Sequence, residues 1–401
     1  MLERQHRKIK LTLKNTHQNK LMNGGKYLDK GGFGCVIIPA LPCSKKDLTE
    51  KNLKNYVSKL IKDTDSETLN EITISNILKK LDPDKKYFLT IEKHCYINNI
   101  SSEISESRSD IALVNYIDDD MKKFNLKPDQ KNKDKHFCDI DISKKPINII
   151  MEYAGYSLKN IMKTAPTDNS TKGIMHRLFI ANIKNNLKHL ILGLIKMHFN
   201  RVAHRDVKTR NIMLLYNKQN NDIQIRYGDF GLSELLTNSY CSDINNVYEK
   251  GTPNYISPEL KVVFNYRYYR NRSDNYILGK ITEEFISKNG INDAFTDINE
   301  KQLLGDLNAN ILALFKKIKT LFTTNRILPV FFGTDNNKFN GYVQKADVYA
   351  LGYNIFNMLL NHSNFDVQSD PELYDLLIHM IAIDPDKRFN AVQCISHPYF
   401  Q

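Results

Sequence analysis

A chain of 401 residues is longer than one hydrophobic core usually serves, so two domains are expected. Its 41% hydrophobic and 25% charged residues are ordinary for a folded globular protein and exclude disordered or fibrous classes. The net charge of +12 could attract nucleic acid, anionic lipid or acidic protein, but in a chain this rich in Lys, Asn and Ile it is read as scattered solvated lysines, and no nucleic-acid partner is assigned.

In chain order, residues 1–20 are basic and patternless, a flexible tail with no signal-peptide core. A glycine-rich turn between short apolar runs predicts a hairpin from Lys26 to about Ile38, and 56–61 (YVSKLI) reads as a strand. From Ser66 to Leu81 apolar residues recur at helical spacing, with Ile74, Leu78 and Leu81 on one face, and DPD at 82–84 ends the helix. Residues 87–97 and 147–153 read as strands, and the polar stretch of about 99–146 between them as a surface insertion. A long helix is expected over 176–199, short strands over 202–231, an amphipathic segment over 303–322, and helices over 346–360 and 371–382. A strand-rich first part before a helical second part predicts an α+β, two-lobed enzyme. The lobes are expected at 21–154 and 155–401, the second with an insertion of about 261–341.

No apolar run is long enough to span a bilayer. Cys35, Cys43, Cys95, Cys138, Cys241 and Cys394 form no CxxC pair and no zinc-finger spacing, so free thiols in a reducing compartment are expected. These features together predict an intracellular, cytoplasmic monomer.

The most informative segment is Ala203-His204-Arg205-Asp206-Val207-Lys208-Thr209-Arg210-Asn211, which matches H-R-D-x-K-x-x-N. A carboxylate at Asp206 can accept and orient a hydroxyl proton. Lys208, two residues on, can place positive charge near a transferred phosphate, and the amide oxygen of Asn211 can ligate Mg²⁺. Downstream, Asp229-Phe230-Gly231 follows an alternating apolar run, and there it resembles the D-F-G of protein kinases, which implies that its carboxylate is a second Mg²⁺ ligand. Next come Gly251-Thr252-Pro253-Asn254-Tyr255-Ile256-Ser257-Pro258-Glu259 and, much later, Asp384-Pro385-Asp386-Lys387-Arg388 and the Asp347-Val348-Tyr349-Ala350-Leu351-Gly352 run.

In this order the segments resemble the eukaryotic-type protein kinase family. The resemblance runs from about Lys26 to Phe400, apart from the insertions. It implies ATP as phosphoryl donor and Mg²⁺ as cofactor, with Mn²⁺ as an alternative metal. Glu259 is then expected to pair with Arg388, and Asp347 to brace the catalytic-loop backbone. In the first lobe, Asp29-Lys30-Gly31-Gly32-Phe33-Gly34-Cys35-Val36 resembles the glycine-rich loop over the ATP phosphates, with Asp29 where the first glycine is usual. Gly31, Gly32, Phe33, Gly34 and Val36 are assigned to nucleotide binding on that resemblance. Lys59, with Lys62 as the alternative, is assigned the phosphate-binding amine, and Glu71, with Glu67 as the alternative, its carboxylate partner. Met151 is expected at the back of the adenine pocket, with backbone groups of Glu152 to Ala154 bonding the base.

Lys208 and the G-T-P-x-Y sequence resemble the serine/threonine branch, so protein serines and threonines are the expected substrates. The GGFGCV run and its surroundings are similar to serine/threonine kinases of nucleocytoplasmic large DNA viruses, which would place the protein in host cytoplasm or virion. Arg205 before Asp206 implies a grip on a phosphorylated activation segment, with Thr237, Ser239, Tyr240, Ser242 and Tyr248 as candidates. Asp29 motivates one rival, a catalytically weak pseudokinase scaffold. Tyr266-Arg267-Tyr268-Tyr269-Arg270 motivates another, a nucleic-acid binder.

Overall fold

The computed structural model describes residues 26–31, 34–41, 43, 53, 55–61, 66–96, 147–236, 251–252, 255–261, 272–273, 276, 336–360 and 369–401. The tail, Gly32, Phe33, Lys62, the five candidate phosphorylation sites, the 303–322 segment, the 266–270 cluster and most of both insertions lie outside the described residues. Contacts divide the chain into two units, one holding the residues up to Leu69 and Thr90–Tyr153, the other Asn70–Leu89 and Ala154–Gln401.

Unit 1 is a five-stranded antiparallel sheet. Its strands are β1 (Lys26–Gly31), β2 (Gly34–Ile38), β3 (Tyr56–Ile61), β4 (Ile91–Tyr96) and β5 (Ile147–Glu152), in the order β1-β2-β3-β5-β4. The predicted hairpin is present, with Gly31 opposite Gly34 at its tip. β5 is interior to the sheet, and its first four residues (INII) are buried, as a strand covered on both faces requires. The polar member of that run, Asn148, donates from Nδ2 to the Leu41 carbonyl at 3.0 Å. The buried Ser58 accepts the Leu41 N–H at 2.8 Å, so the chain leaving β2 is held by two polar side chains of the sheet.

The free-thiol expectation is corrected here. Cys43 and Cys95 are joined in a disulfide, Cα to Cα 5.8 Å, across a sequence separation of 52 residues. Local spacing carries no information about a pair that β4 and the loop after β2 bring together. Cys394 is a free thiol, buried, and burial pushes its pKa up to about 12.

Helix α1 (Ser66–Leu81) has the predicted bounds. Its buried Ile74 and Leu78, with Phe88 beyond it, belong to the core of unit 2, so contacts group Asn70–Leu89 with the second unit instead of with a contiguous 21–154 lobe.

Unit 2 is mostly helical. After β6 (Tyr156–Ser157) come α2 (Leu158–Met162), α3 (Thr171–Ala181) and α4 (Ile183–Phe199). The single helix expected over 176–199 is thus two helices. Asn182, at φ −110° and ψ 29°, leaves helical geometry, and its backbone and side-chain N–H groups satisfy the last carbonyls of α3. Both helices bury apolar faces in one core, among them Met175, Phe179, Leu187, Leu190 and Leu194.

Strands β7 (Val202–Ala203), β8 (Ile212–Asn217), β9 (Asp222–Tyr227) and β10 (Glu234–Leu235) follow. β8 pairs with β6 and β9, and β7 with β10. Gly155 turns the chain into β6 at φ +78°, where a Cβ would lie 2.0 Å from the Leu214 carbonyl oxygen, so only glycine fits.

Helix α5 (Asn336–Leu360) begins ten residues before the expected 346, inside the stretch expected as insertion. Helix α6 (Pro371–Met380) starts on an Asp370 cap with proline in its first turn and ends two residues before the expected 382. The short α7 (Ala391–Ile395) carries a capping box between Asn390 and Gln393. Among the described residues no helix is long and apolar enough to cross a membrane.

Candidate active site

The loop between β7 and β8 carries the H-R-D segment. Asp347 of α5, buried at 1% exposure, accepts the His204 N–H on Oδ2 and the Arg205 N–H on Oδ1, both at 2.7 Å. His198 Nε2 lies 3.1 Å from the same Oδ2. One helix side chain therefore fixes two consecutive peptide groups immediately before Asp206. This matters because Arg205 stands at φ +65°, a left-handed conformation that non-glycine residues hold only when surroundings compel it. Asn354, two turns along α5, accepts the Thr209 N–H at 3.1 Å and donates to the Val207 carbonyl at 3.2 Å, fixing the other side of the loop.

Asp206 is 5% exposed and its carboxylate is surrounded by donors. Lys208 Nζ donates to Oδ2 at 2.6 Å and to Thr252 Oγ1 at 2.9 Å. Thr252 Oγ1 donates to Oδ1 at 2.7 Å, and its N–H reaches Oδ1 at 3.3 Å. Asn211 Nδ2 donates to the Asp206 carbonyl at 3.0 Å and to Oδ2 at 3.1 Å. The structure thus brings Asp206, Lys208 and Asn211 together as one cluster, and adds Thr252 of the G-T-P-N-Y segment, for which the sequence alone indicated no role at the carboxylate. A mainly apolar pocket opens beside Asp206, lined by Thr252, Tyr255, Ile256, Leu260 and Val343 among others.

With its amide N–H₂ turned to Asp206, Asn211 has Oδ1 as the atom left to meet a cation. The β8–β9 register pairs Ile212 with Tyr227, and the Gly228 N–H donates to the Asn211 carbonyl at 2.8 Å. Asp229 follows at once, so a carboxylate and an amide oxygen share one end of the hairpin. Asp229 also holds positive φ, at 62°. Phe230 beside it is 2% exposed and packs against His204, ring centroids 5.2 Å apart, and Phe88, 6.1 Å apart. Hard oxygen donors of this kind suit Mg²⁺, which takes one or two protein oxygens and fills the rest of its shell with water and phosphate. Among the described residues no group of three or more His, Cys, Asp or Glu could hold a metal.

Glu259 and Arg388 form the expected pair, bidentate at 2.7 and 2.8 Å, with side chains 1% and 0% exposed. Ser257 adds a third donor to Glu259 at 2.6 Å. The Arg388 guanidinium lies 4.9 Å from the Tyr349 ring centroid. Burial keeps the Tyr349 hydroxyl protonated far above its usual range. The segment containing Thr252 is thereby anchored at its far end.

In unit 1, Lys59 lies on β3 opposite Val36 of β2 and Ile149 of β5, half-buried. Met151 and Glu152 end β5, and the Tyr153 N–H donates to the Asn55 carbonyl at 2.8 Å. Gly31 and Gly34 face each other at the β1–β2 tip. Glu67, also in unit 1, is half-buried, while in unit 2 Glu71 is buried at 4% exposure and Ala154 is buried.

A protein kinase domain model matches residues 135–400. The chain is 26% identical over 271 residues to "Probable cyclin-dependent kinase 8" of Dictyostelium discoideum, covering 64% of this chain and 61% of that protein. It is 23% identical over 265 residues to cyclin-dependent kinase E-1 of Arabidopsis thaliana, covering 65% and 52%. Over 90 residues it is 44% identical to serine/threonine-protein kinase Nek6 of Oryza sativa subsp. japonica, covering 22% and 14%. The matched part thus spans 61% and 52% of the two cyclin-dependent kinases and 14% of Nek6.

Proposed function

The chain belongs to the protein kinase domain family, and from that premise we propose that it transfers the γ-phosphoryl group of ATP to serine and threonine hydroxyls of proteins. The observation that carries this reading is the Asp206 carboxylate held by Lys208, Thr252 and Asn211 on a loop pinned by Asp347.

The chemistry asked of the chain is positioning and charge compensation. Asp206 orients the incoming hydroxyl and takes its proton as the oxygen attacks phosphorus. Lys208, already bridging Asp206 and Thr252, faces the transferred group with positive charge. Thr252 holds Oδ1 of Asp206 in place and, through the pocket beside it, helps to seat the substrate chain. Asn211 and Asp229 would hold Mg²⁺, which when bound neutralises phosphate charge. Gly31, Gly34, Val36, Lys59, Glu71, Met151, Glu152 and Ala154 are proposed to bind the nucleotide, together with Gly32 and Phe33. Serine/threonine preference is supported by Lys208 and by the names of the relatives. The finer likeness to kinases of nucleocytoplasmic large DNA viruses is proposed from the GGFGCV run with the loop after it, the V-S-K-L strand and the D-P-D-K-K-Y-F segment.

The test is a phosphate-transfer assay with radiolabelled ATP, Mg²⁺ and a mixed serine, threonine and tyrosine peptide library, comparing the protein with Asp206→Asn. Label on phosphoserine and phosphothreonine, lost in the variant, is expected. Equal label in both proteins would reduce the chain to a scaffold, and label on tyrosine alone would overturn the substrate class.

A further inference from the structure

Arg205 precedes Asp206, and its side chain is only 3% exposed. Its guanidinium Nη1 donates to Oε2 of Glu234, whose side chain is 17% exposed. Glu234 lies on β10, five residues beyond Asp229. The surrounding segment is fastened to the catalytic loop along its length. Glu234 pairs with Ala203 and Leu235 with Val202. Ser233 Oγ donates to the His204 carbonyl at 3.0 Å, and the Leu236 N–H to the Arg201 carbonyl at 2.7 Å. Asn70 Nδ2 holds the Gly231 and Ser233 carbonyls at 3.2 and 2.6 Å.

We propose that Glu234 is a built-in anionic partner that locks Arg205, and through it Asp206, so that catalysis needs no phosphate on the 237–250 segment. The inference rests on the kinase reading and concerns how that site is regulated. A buried guanidinium demands a negative partner, because an uncompensated charge there is costly. Glu234 supplies one from the same chain. Arg205 is then restrained twice, by Asp347 at its backbone and by Glu234 at its side chain, in a left-handed conformation that a single restraint would hold less firmly. A phosphate brings about −1.5 to −2 of charge, and beside the Glu234 carboxylate it would meet like charge instead of an open cation. Glu234 is a positioning residue, acting through Arg205. A locked Arg205 is the alternative to one that waits for a phosphorylated residue, and the experiment decides between the two.

The experiment treats the purified full chain with a protein phosphatase until its intact mass shows no phosphate. The phosphatase is removed, and radiolabelled ATP, Mg²⁺ and a serine/threonine peptide mixture are added. Incorporation linear from the first time point, at the rate of untreated protein, is expected. Glu234→Gln is expected to lower kcat by about 10- to 100-fold, since a small misplacement of the reacting groups costs that much, with the KM for ATP near that of the unaltered protein and a lowered thermal midpoint, because the buried Arg205 guanidinium loses its anion. A lag, or a loss of rate that recovers as phosphate returns to the protein, would overturn the proposal. So would a Glu234→Gln variant of undiminished kcat. If that variant does not fold, the phosphatase comparison on the unaltered chain decides alone. Absence of transfer in every form, treated or not, would instead remove the kinase reading, and this inference with it.

Discussion

The hydroxyl of Thr252 donates to Oδ1 of Asp206 at 2.7 Å, while Lys208 holds Oδ2 at 2.6 Å. Two elements 46 residues apart thus meet at one carboxylate. Thr252→Ala should lower kcat more than it raises the KM for ATP, and Thr252→Ser, which keeps the hydroxyl, should restore most of the loss. Asp206→Asn should cost about 10²–10⁴-fold in kcat, the usual share of a positioned acid or base. Steady-state kinetics on all three variants checks these expectations.

Asp347→Asn keeps the volume but puts an N–H₂ group where one of the two backbone N–H donors now finds an acceptor. The unpaired buried group should cost about 1–3 kcal/mol of stability, read as a lower denaturant midpoint. Turnover should fall as well, because the same bonds place Asp206.

Arg388→Met leaves Glu259 buried without its fork. Breaking a buried pair on one side should cost about 3–5 kcal/mol, and Arg388→Lys should recover only part of that, since an ammonium cannot form both parallel bonds. The double variant Glu259→Gln with Arg388→Met should be more stable than Arg388→Met alone. Chemical denaturation of the four proteins is the measurement.

Gly352 of α5 sits against α6, where an added Cβ would be 2.6 Å from Met380 Cβ and 3.1 Å from Ile381 Cγ2. Gly352→Ala should push the helices apart and cost about 1–3 kcal/mol, even though alanine is the better helix former. A thermal midpoint above that of the unaltered protein would show that the helices have room to spare.

His189 stacks on Tyr87, ring centroids 4.8 Å apart, and its Nε2 lies 2.9 Å from the Ile225 carbonyl. Burial lowers its pKa below 6.5, and Lys86 lowers it further, against opposing pulls from the Ile225 carbonyl and Asp82. Between that lowered value and the ordinary one, the unfolded chain binds more protons at this site than the folded chain. Stability contributed here is complete above the ordinary pKa and is lost as pH falls towards the folded pKa. Urea midpoints should drop from about pH 7 to about pH 5 less steeply in His189→Gln than in the unaltered chain.

Much of this was legible in the residues. Helix α1 declared its bounds through Ile74, Leu78 and the DPD stop, and the Glu259–Arg388 pair could be named from two short segments. The gap at Asn182 could not, because the helices on either side bury faces of the same character and the pattern runs through the break. The Cys43–Cys95 bridge was hidden for a related reason, since sheet pairing, and no local spacing, puts those sulfurs together. Glu234 had no signature at all. Its meaning depends on β10 lying against β7, which nothing in the residues around it announces.

Glu259 and Arg388 are separated by 129 residues. A ribosome therefore exposes the carboxylate well before the guanidinium that will bury it, at about 5–20 residues per second. During that interval the carboxylate must stay in water, and the stretch carrying Thr252 has no anchor at its far end. The residues of the catalytic loop and its hairpin are already synthesised when Glu259 emerges, but Asp347 and Asn354, which pin the loop, come after it. This clamp consequently cannot close until Arg388 has been synthesised, and a chain stopped short of it cannot hold the Thr252 segment at its far end.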